Sequence, residues 1–555
     1  MPRMTGSKFF AEAMRAYGVS HLFFMPTIII PAMAEMEDMN IRRVTTHGEK
    51  AAAYMADGYA RAAHRPGICL AQNVGAANLA AGLRDAFLAN SPVIAITGGP
   101  DPHGRYRHVY QEVEDFPMFD PVTKFNAQVD AVERLPDLLR QAFRSATSGT
   151  PGPVHLRLQG RHGNVLEQEG DLELVVEEQF ASYPAYRPPA DPDQVRAAAE
   201  ALRLAKRPAI VAGGGVIASR AEPEVVALAE KLSIPVATSL HAKATIPGCH
   251  PLAVGVVGTY SRWCANRVVA EADLVFFVGS HTGSQVTNNW KIPRPGTPAI
   301  QLDIDGAEIG RNYPVKVGLL GDAKAVLRQL IEAVSPASPE TEWLRRVRQL
   351  VEEWRAETAP LLNSDAVPIR PERICKELTE LLPEDAVLVA DTGHSGIWTG
   401  TLVDLKHPTQ SYIRCAGSLG WAFSASIGVK CALPDRPVIC FTGDGGFYYH
   451  MAELETAARF GVNVVVLVND NHSLNQEQRI FNAAYGGRMR GRANEMWVYR
   501  EINLAKVAEA MGCVGIRVER PGELPGALRQ AFAAGRPALV DVVTDISALY
   551  PRPWG

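Results

Sequence analysis

The sequence has no CxxC pair, no uninterrupted apolar run approaching a membrane span, and no strong charge of either sign. Eight cysteines are scattered along the chain, several inside apolar runs such as GICLAQ and PVICFTG. That pattern excludes zinc-ribbon and dithiol chemistry and reads as reduced, buried thiols. With 56 Lys and Arg against 60 Asp and Glu, the formal charge of −4 leaves no electrostatic footprint for nucleic acid or an acidic membrane surface. Crossing a bilayer takes roughly 18 or more consecutive apolar residues, and no stretch supplies them. The opening segment MPRMTGSKFFAEAMRAYGVSHLFF has no charged-then-apolar leader pattern, so the expected location is the cytoplasm.

What is present is a chain of 555 residues, 47% hydrophobic, too long for one core and suited to about three domains at ~150 residues each. Two stretches interrupt the alternation of strand-like and helix-like segments. From about Asn164 to Asp193, acidic residues and prolines disfavour a packed element, and a linker is expected there. At Val334, VSPASPETEW precedes a predicted helix running to about Leu362. The resulting blocks are 1–165, 190–335 and 366–545. Each repeats short apolar runs, among them His21–Met25, Leu274–Val278 and Val387–Ala390, separated by segments of helical period. Such runs mark parallel sheets covered on both faces, so the expected fold class is α/β, three doubly wound parallel-sheet domains.

In such sheets ligands bind beyond the carboxyl ends of the strands. FTGDGGFYYHMAELETAARFGVNVVVLVNDNHS, from Phe441, reads as strand, turn, helix, strand and exit loop. The helix is expected to carry Met451, Leu454 and Ala458 on one face and to end at Gly461. Asp444 and Asn471, 27 positions apart, then both stand at strand carboxyl ends. A carboxylate and an amide oxygen form a hard-oxygen set suited to Mg²⁺, which takes its remaining ligands from phosphate and water. Gly443, Gly445 and Gly446 let backbone N–H groups approach a diphosphate. Alone, GDGG is also an ordinary turn with a capping Asp; the placement of Asn471 argues for the ligand.

These segments resemble the metal and diphosphate motif of thiamine-diphosphate enzymes. VTTHGEKAAAYMADGYARA, from Val44, resembles the strand, catalytic Glu and helix of that family and puts Glu49 at the Glu position. QNVGAANLAAGLRDAFLANSPVIAITG is similar to its next loop, helix and strand, with Gly75, Ala76 and Asn78 at matching places. AGSLGWAFSASIGVKCAL resembles the cofactor-shaping segment of benzoylformate decarboxylase and its relatives, with Gly417 in it. PAIVAGGGVIAS and IQLDIDGAEIGRN are similar to acetohydroxyacid synthase large subunits in particular.

The resemblance implies thiamine diphosphate and Mg²⁺ as cofactors, bound between a pyrimidine-binding first block and a diphosphate-binding third block. It implies that Glu49 bonds the pyrimidine N1′, that Leu419 enforces the bent cofactor, and that Gly393, His394 and Ser395 reach the diphosphate. Asp444, Asn471 and Ser473 are the implied metal ligands. His47 and Gln111 are candidates to contact substrate, with Lys124 beside Gln111 at the mouth of the site. The Glu-bearing block of one subunit serves the diphosphate block of another, implying a homodimer or homotetramer.

The chain also departs from the synthase pattern. Ile480 stands where the synthase has an acceptor-pocket tryptophan, and MPTIII, from Met25, replaces a glycine pair and predicts a bulkier, more apolar ceiling. The paired histidines of pyruvate decarboxylase are absent. SHTGSQVTNN, from Ser280, lacks the arginine and acids of the synthase flavin element, so weak or absent FAD is expected, with Asp303 and Asp305 as candidates to retain an adenine nucleotide. The arginine-rich GGRMRGRANEMWVYR lies where the family carries a lid. The expected function is a thiamine-diphosphate-dependent lyase or carboligase on 2-oxo acids or dicarbonyls, resembling acetolactate synthase. A 2-oxo acid decarboxylase, a 1,2-dione hydrolase and a non-catalytic nucleotide-binding α/β protein are the alternatives. Gly213–Gly215 does not complete the G-x-G-x-x-G of a dehydrogenase.

Overall fold

The computed structural model describes residues 2–550. Three six-stranded sheets, all of whose strand pairs are parallel, follow one another along the chain. In the first the order is Arg42–Thr45, His21–Met25, Gly67–Ala71, Val93–Gly98, Val154–Leu158, Phe125–Val129. In the second it is Ala253–Val256, Val236–Thr238, Pro208–Ala212, Leu274–Val278, Ala299–Asp303, Val315–Leu320. In the third it is Ser411–Arg414, Val387–Ala390, Val438–Gly443, Val465–Asp470, Ala538–Val543, Val514–Val518. Central strands such as Gly67–Ala71 and Leu274–Val278 are buried along their whole length, as helices on both faces require.

The stretch expected to be a linker contains a short strand, Glu169–Asp171, paired antiparallel with Arg3–Thr5. Its acidic side chains point outward while Gly170 is buried, so the charges do not oppose the pairing. Helix Glu342–Leu362 follows the proline and serine punctuation and buries Trp343 and Trp354 in a core shared by the second and third sheets.

The first and third sheets are joined by two helices, Glu49–Ala63 and Trp421–Ala432, that cross in close contact. Both are alanine-rich and buried on nearly every side. A Cβ at Gly58 would lie 2.7 Å from the Ala425 carbonyl carbon, and one at Gly428 would lie 2.7 Å from that of Met55. Only glycine permits the two backbones to approach so far. One apolar cluster therefore runs from Phe23, Val44 and Leu79 to Val389, Phe423 and Leu454.

Candidate active site

Strands Val387–Ala390, Val438–Gly443 and Val465–Asp470 are neighbours, so their exit loops share one edge of the third sheet. The last strand runs two residues past the apolar run that ends at Val468: Asn469 and Asp470 belong to it, both buried, and Asn471 is its first exit residue. Asp444 opens a single helical turn, Asp444–Phe447. The helix expected to start near Tyr449 begins instead at Glu453; Leu454 is buried, and Met451 and Ala458 pack on the same core.

Burial raises the Asp444 carboxyl to about 7, opposed by the backbone N–H groups of Gly445, Ser473 and Asn471 aimed at it. Its Oδ2 is buried and has no hydrogen-bond partner among the described residues. Asn471 Oδ1 accepts a bond from the Ser473 hydroxyl at 2.8 Å and retains a second lone pair. An orphaned carboxylate oxygen beside an amide oxygen and a hydroxyl fits a hard cation. No group of three His, Cys, Asp or Glu suited to a metal occurs among the described residues, so any cation here takes its other ligands from elsewhere.

Gly393 has a left-handed backbone (φ 64°) and opens helix His394–Leu402. Ser395 Oγ would stand 3.7 Å from a Cβ at Gly443, which brings the Gly393–Ser395 loop against the GDGG turn. His394 Nδ1 bonds Asn475 Oδ1 at 2.8 Å, and burial lowers its pKa. A Cβ at Gly445 would lie 2.7 Å from Leu474, and one at Gly446 2.8 Å from Thr442 Oγ1. The carboxyl-terminal part of the arginine-rich stretch folds back on this site: Leu474 N–H donates to Trp497 O at 2.7 Å and Tyr499 N–H to His472 O at 2.6 Å.

In the first domain Glu49 is the first residue of its helix, after the extended Gly48. Asn78 Nδ2 donates to Glu49 Oε2 at 3.2 Å. A Cβ at Gly75 would sit 2.8 Å from Glu49 Cδ, so that glycine clears the space the carboxyl occupies. Asn73 Nδ2 donates to Gln111 O at 2.5 Å, which ties the Gln111 loop beside Gly75; Gln111 Oε1 is buried without a partner. His47 Nε2 meets Glu455 Oε2 at 2.8 Å, and its N–H donates to Glu453.

Lys124 and part of MPTIII lie elsewhere than expected. Lys124 Nζ is spent donating to the carbonyls of Ser145, Ser148 and Thr150, at the end of helix Leu135–Thr147 whose free carbonyls need donors. Of MPTIII, Ile28 and Ile29 are buried in the core of the first domain, leaving Pro26, Thr27 and Ile30 outward. Ile480 is exposed on helix Gln478–Ala484, which buries no residue in the single chain.

Leu419 is half-buried, next to Gly420 at φ 89°. A Cβ at Gly420 would lie 2.6 Å from Tyr449 Cβ and 3.0 Å from Gly446 O, so Leu419 is held beside the GDGG turn. Sequence reasoning missed Asp391, which accepts from the N–H of Thr392, Gly420 and Ala422 and ties two of the loops together. Burial lifts its carboxyl to about 6. Its signal is an acid directly after a buried strand, two positions before a glycine.

In the central domain a cavity of about 630 Å³ is lined by Gly214, His241, Ser280 and Asp303, and by Thr392 and Gly417 of the third domain. Two of the three glycines in Gly213–Gly215 serve packing, because a Cβ at either would lie 2.7 Å from the backbone of Gly279 or Ser280.

A three-layered α/β chain with a hard-cation turn and a braced glutamate is the architecture of a cofactor-dependent enzyme. Comparison with known sequences is specific about the cofactor: models of the thiamine pyrophosphate enzyme N-terminal, central and C-terminal domains match residues 4–118, 195–330 and 391–542. The chain is 34% identical to a probable acetolactate synthase large subunit of Methanocaldococcus jannaschii, across 99% of this chain and 93% of that one. It is 32% identical to the Methanococcus aeolicus counterpart (98% and 93%) and 29% to acetolactate synthase isozyme 1 large subunit of Escherichia coli (99% and 96%). The chain belongs to the thiamine pyrophosphate enzymes.

Proposed function

We propose that the protein is a thiamine-diphosphate-dependent carboligase of acetolactate synthase type, acting on 2-oxo acids or related dicarbonyls. The observation that carries this reading is the pairing of a glutamate braced by Asn78 and Gly75 with an orphaned Asp444 oxygen at the Asn471 loop. When bound, thiamine diphosphate supplies a carbon nucleophile and its own aminopyrimidine base. Glu49 would present its carboxyl to the pyrimidine, oriented by the Asn78 amide. Asp444, Asn471 and Ser473 would hold Mg²⁺, and Gly443, Gly445, Gly446, Gly393, His394 and Ser395 would receive the diphosphate. Gly417 and Leu419 would lie against the cofactor. His47, with Nε2 engaged by Glu455, offers Nδ1 to a substrate proton, and Gln111 offers its unpartnered Oε1.

The working unit is read as a homodimer or homotetramer in which the Glu49 block of one copy covers the Asp444 block of another. Exposed Val74, Tyr449 and Ile480, each beside a site segment, support a cover of that kind. The central domain is read as flavin-poor, with Asp303 on the cavity wall suited to the hydroxyls of an adenine nucleotide.

Carboligation is favoured over simple decarboxylation because no histidine pair stands ready to protonate a product carbon; a second carbonyl held at near-attack distance suffices for ligation. Incubating the holoenzyme with pyruvate and a panel of aldehydes and dicarbonyls, then quantifying products, tests this. Acetolactate or an acetoin-type hydroxyketone is expected in excess over acetaldehyde. Predominant free aldehyde would replace the reading with a decarboxylase, and ring-opened acid from a cyclic dione with a hydrolase.

A further inference from the structure

Leu419 follows a turn that its own domain holds only through local bonds, Cys415 Sγ and Trp421 N–H to Ser418 O and Gly417 N–H to Cys415 Sγ, each at 3.2 Å. The last backbone bond of that domain before the turn runs from Cys415 N–H to Ala390 O at 3.1 Å. The next three N–H groups all converge on one carboxylate of the first domain, Asp85. Ala416 donates at 2.9 Å, Gly417 at 3.0 Å and Ser418 at 2.9 Å, with the Cys415 thiol at 3.4 Å. Successive N–H groups of this kind form an anion nest, and here the anion comes from 331 positions away.

Asp85 is fully buried. Its charge is balanced by Arg61, whose guanidinium donates to it at 3.1 Å and to Asp57 at 2.8 and 2.6 Å. Burial raises the Asp85 carboxyl; Arg61 and the three backbone bonds outweigh this and hold it below its ordinary value. The network reaches the far side of Leu419 as well, since Trp421 Nε1 donates to Asp57 Oδ2 at 2.8 Å and Arg61 lies 4.6 Å over the Trp421 ring. The turn itself is only partly buried, with Gly417 exposed, but its three N–H groups face the buried Asp85 and lose their acceptor without it.

We infer that Asp85 is a positioning residue: its carboxylate, reaching across from the first domain, sets the 416–418 turn and thereby the height of Leu419 beside the GDGG turn. The inference rests on the proposed cofactor reading for its catalytic consequence, and on geometry alone for the brace. Substrate specificity and metal binding lie outside its reach.

The test is Asp85→Asn in the full chain. One acceptor oxygen becomes an NH₂ group facing three other donors while side-chain volume is kept. Amide hydrogen exchange of the cofactor-free protein is expected to accelerate at least about tenfold at 416–418 and to stay unchanged in strand Val438–Gly443. Small misplacements of reacting groups cost on the order of 10²-fold in rate; kcat is expected to fall by about that factor while the half-saturating thiamine diphosphate concentration moves less than about fivefold. Asp85→Glu, which keeps the charge and shifts the oxygens by one methylene, gives the same split and serves if Asp85→Asn does not fold. Unchanged exchange at 416–418, or kcat within about twofold of wild type, overturns the inference. So does exchange that accelerates throughout the third sheet, which marks a merely structural residue. A wild-type protein that binds no thiamine diphosphate overturns the proposed function instead, and the exchange result still decides the brace.

Discussion

At the Glu49 carboxyl, a single hydrogen atom on a neighbouring residue decides the geometry. A methyl group at Gly75 would occupy the space of Glu49 Cδ. Gly75→Ala is therefore expected to displace the carboxyl without removing it and to lower turnover by about tenfold or more, whereas Glu49→Gln replaces the carboxyl with an amide that cannot exchange a proton and lowers it by roughly 10²–10⁴. Steady-state turnover at saturating cofactor, with occupancy measured separately, checks both; an alanine variant at wild-type rate would show that Glu49 is not held by this glycine. Asp444→Ala and Asn471→Ala act on the other half of the site. Each is expected to abolish Mg²⁺-dependent binding of thiamine diphosphate in calorimetric titration with and without chelator, since Mg²⁺ holds few protein ligands and tolerates the loss of none. Equal affinities in both variants and wild type would contradict the metal assignment. Glu49, Asp444 and Asn471 stood out as candidates because Glu49 and Asp444 sit beside glycines and Asp444 and Asn471 follow buried apolar runs. The partners of His394, Asp391 and Asp85 were not legible, because hydrogen bonds to Asn475, Gly420 and Ala416, 81, 29 and 331 positions away, leave no periodicity to read.

Helices and strands show the same division between local and distant causes. Buried central strands were visible as apolar runs, but Phe125–Val129 and Val514–Val518 lie at sheet edges, half-exposed, and interleave polar residues such as Asn126, Gln128 and Arg517. Their place is set by the neighbouring strand rather than by their own pattern. The break between Phe447 and Glu453 was equally hidden: the Asp444 turn closes on the Asn471 loop, and a continuous helix would carry it away. The crossing of Glu49–Ala63 and Trp421–Ala432 leads to a quantitative expectation. Gly58→Ala keeps helix propensity favourable by about 1 kcal/mol, yet its methyl group meets the Ala425 backbone and forces the helices apart. A net loss on the order of 1–3 kcal/mol is expected from overpacking, visible as a lower melting temperature. A variant as stable as wild type would mean that the helices do not meet as closely as described.

Across the whole molecule, the three sheets are fastened by buried charge as well as by apolar surface, and one of these fasteners titrates. Lys243, in the turn after strand Val236–Thr238 of the central domain, reaches the third domain, where its Nζ donates to Gly400 O at 2.9 Å and lies 5.9 Å over the Tyr412 ring. Burial, with Arg262 nearby and only partly offset by Asp404, lowers its pKa to about 7. In the unfolded chain a lysine titrates near ~10.4. Between those values the unfolded state binds more protons than the folded one, so stability rises with pH from about 7 upward and the penalty of burying the charge is greatest below it. From pH 7 to pH 9 the gain is expected to be on the order of 1–2 kcal/mol, since each unit of pKa difference is worth about 1.4 kcal/mol. Lys243→Met removes the titrating group and keeps an unbranched apolar stem against Tyr412. Melting temperatures of wild type and variant at pH 6.5, 7.5 and 9 provide the measurement. The wild type is expected to gain on the variant by a few degrees as pH rises; parallel curves would show that the lysine titrates alike in both states and that the joint between the domains carries no buried charge.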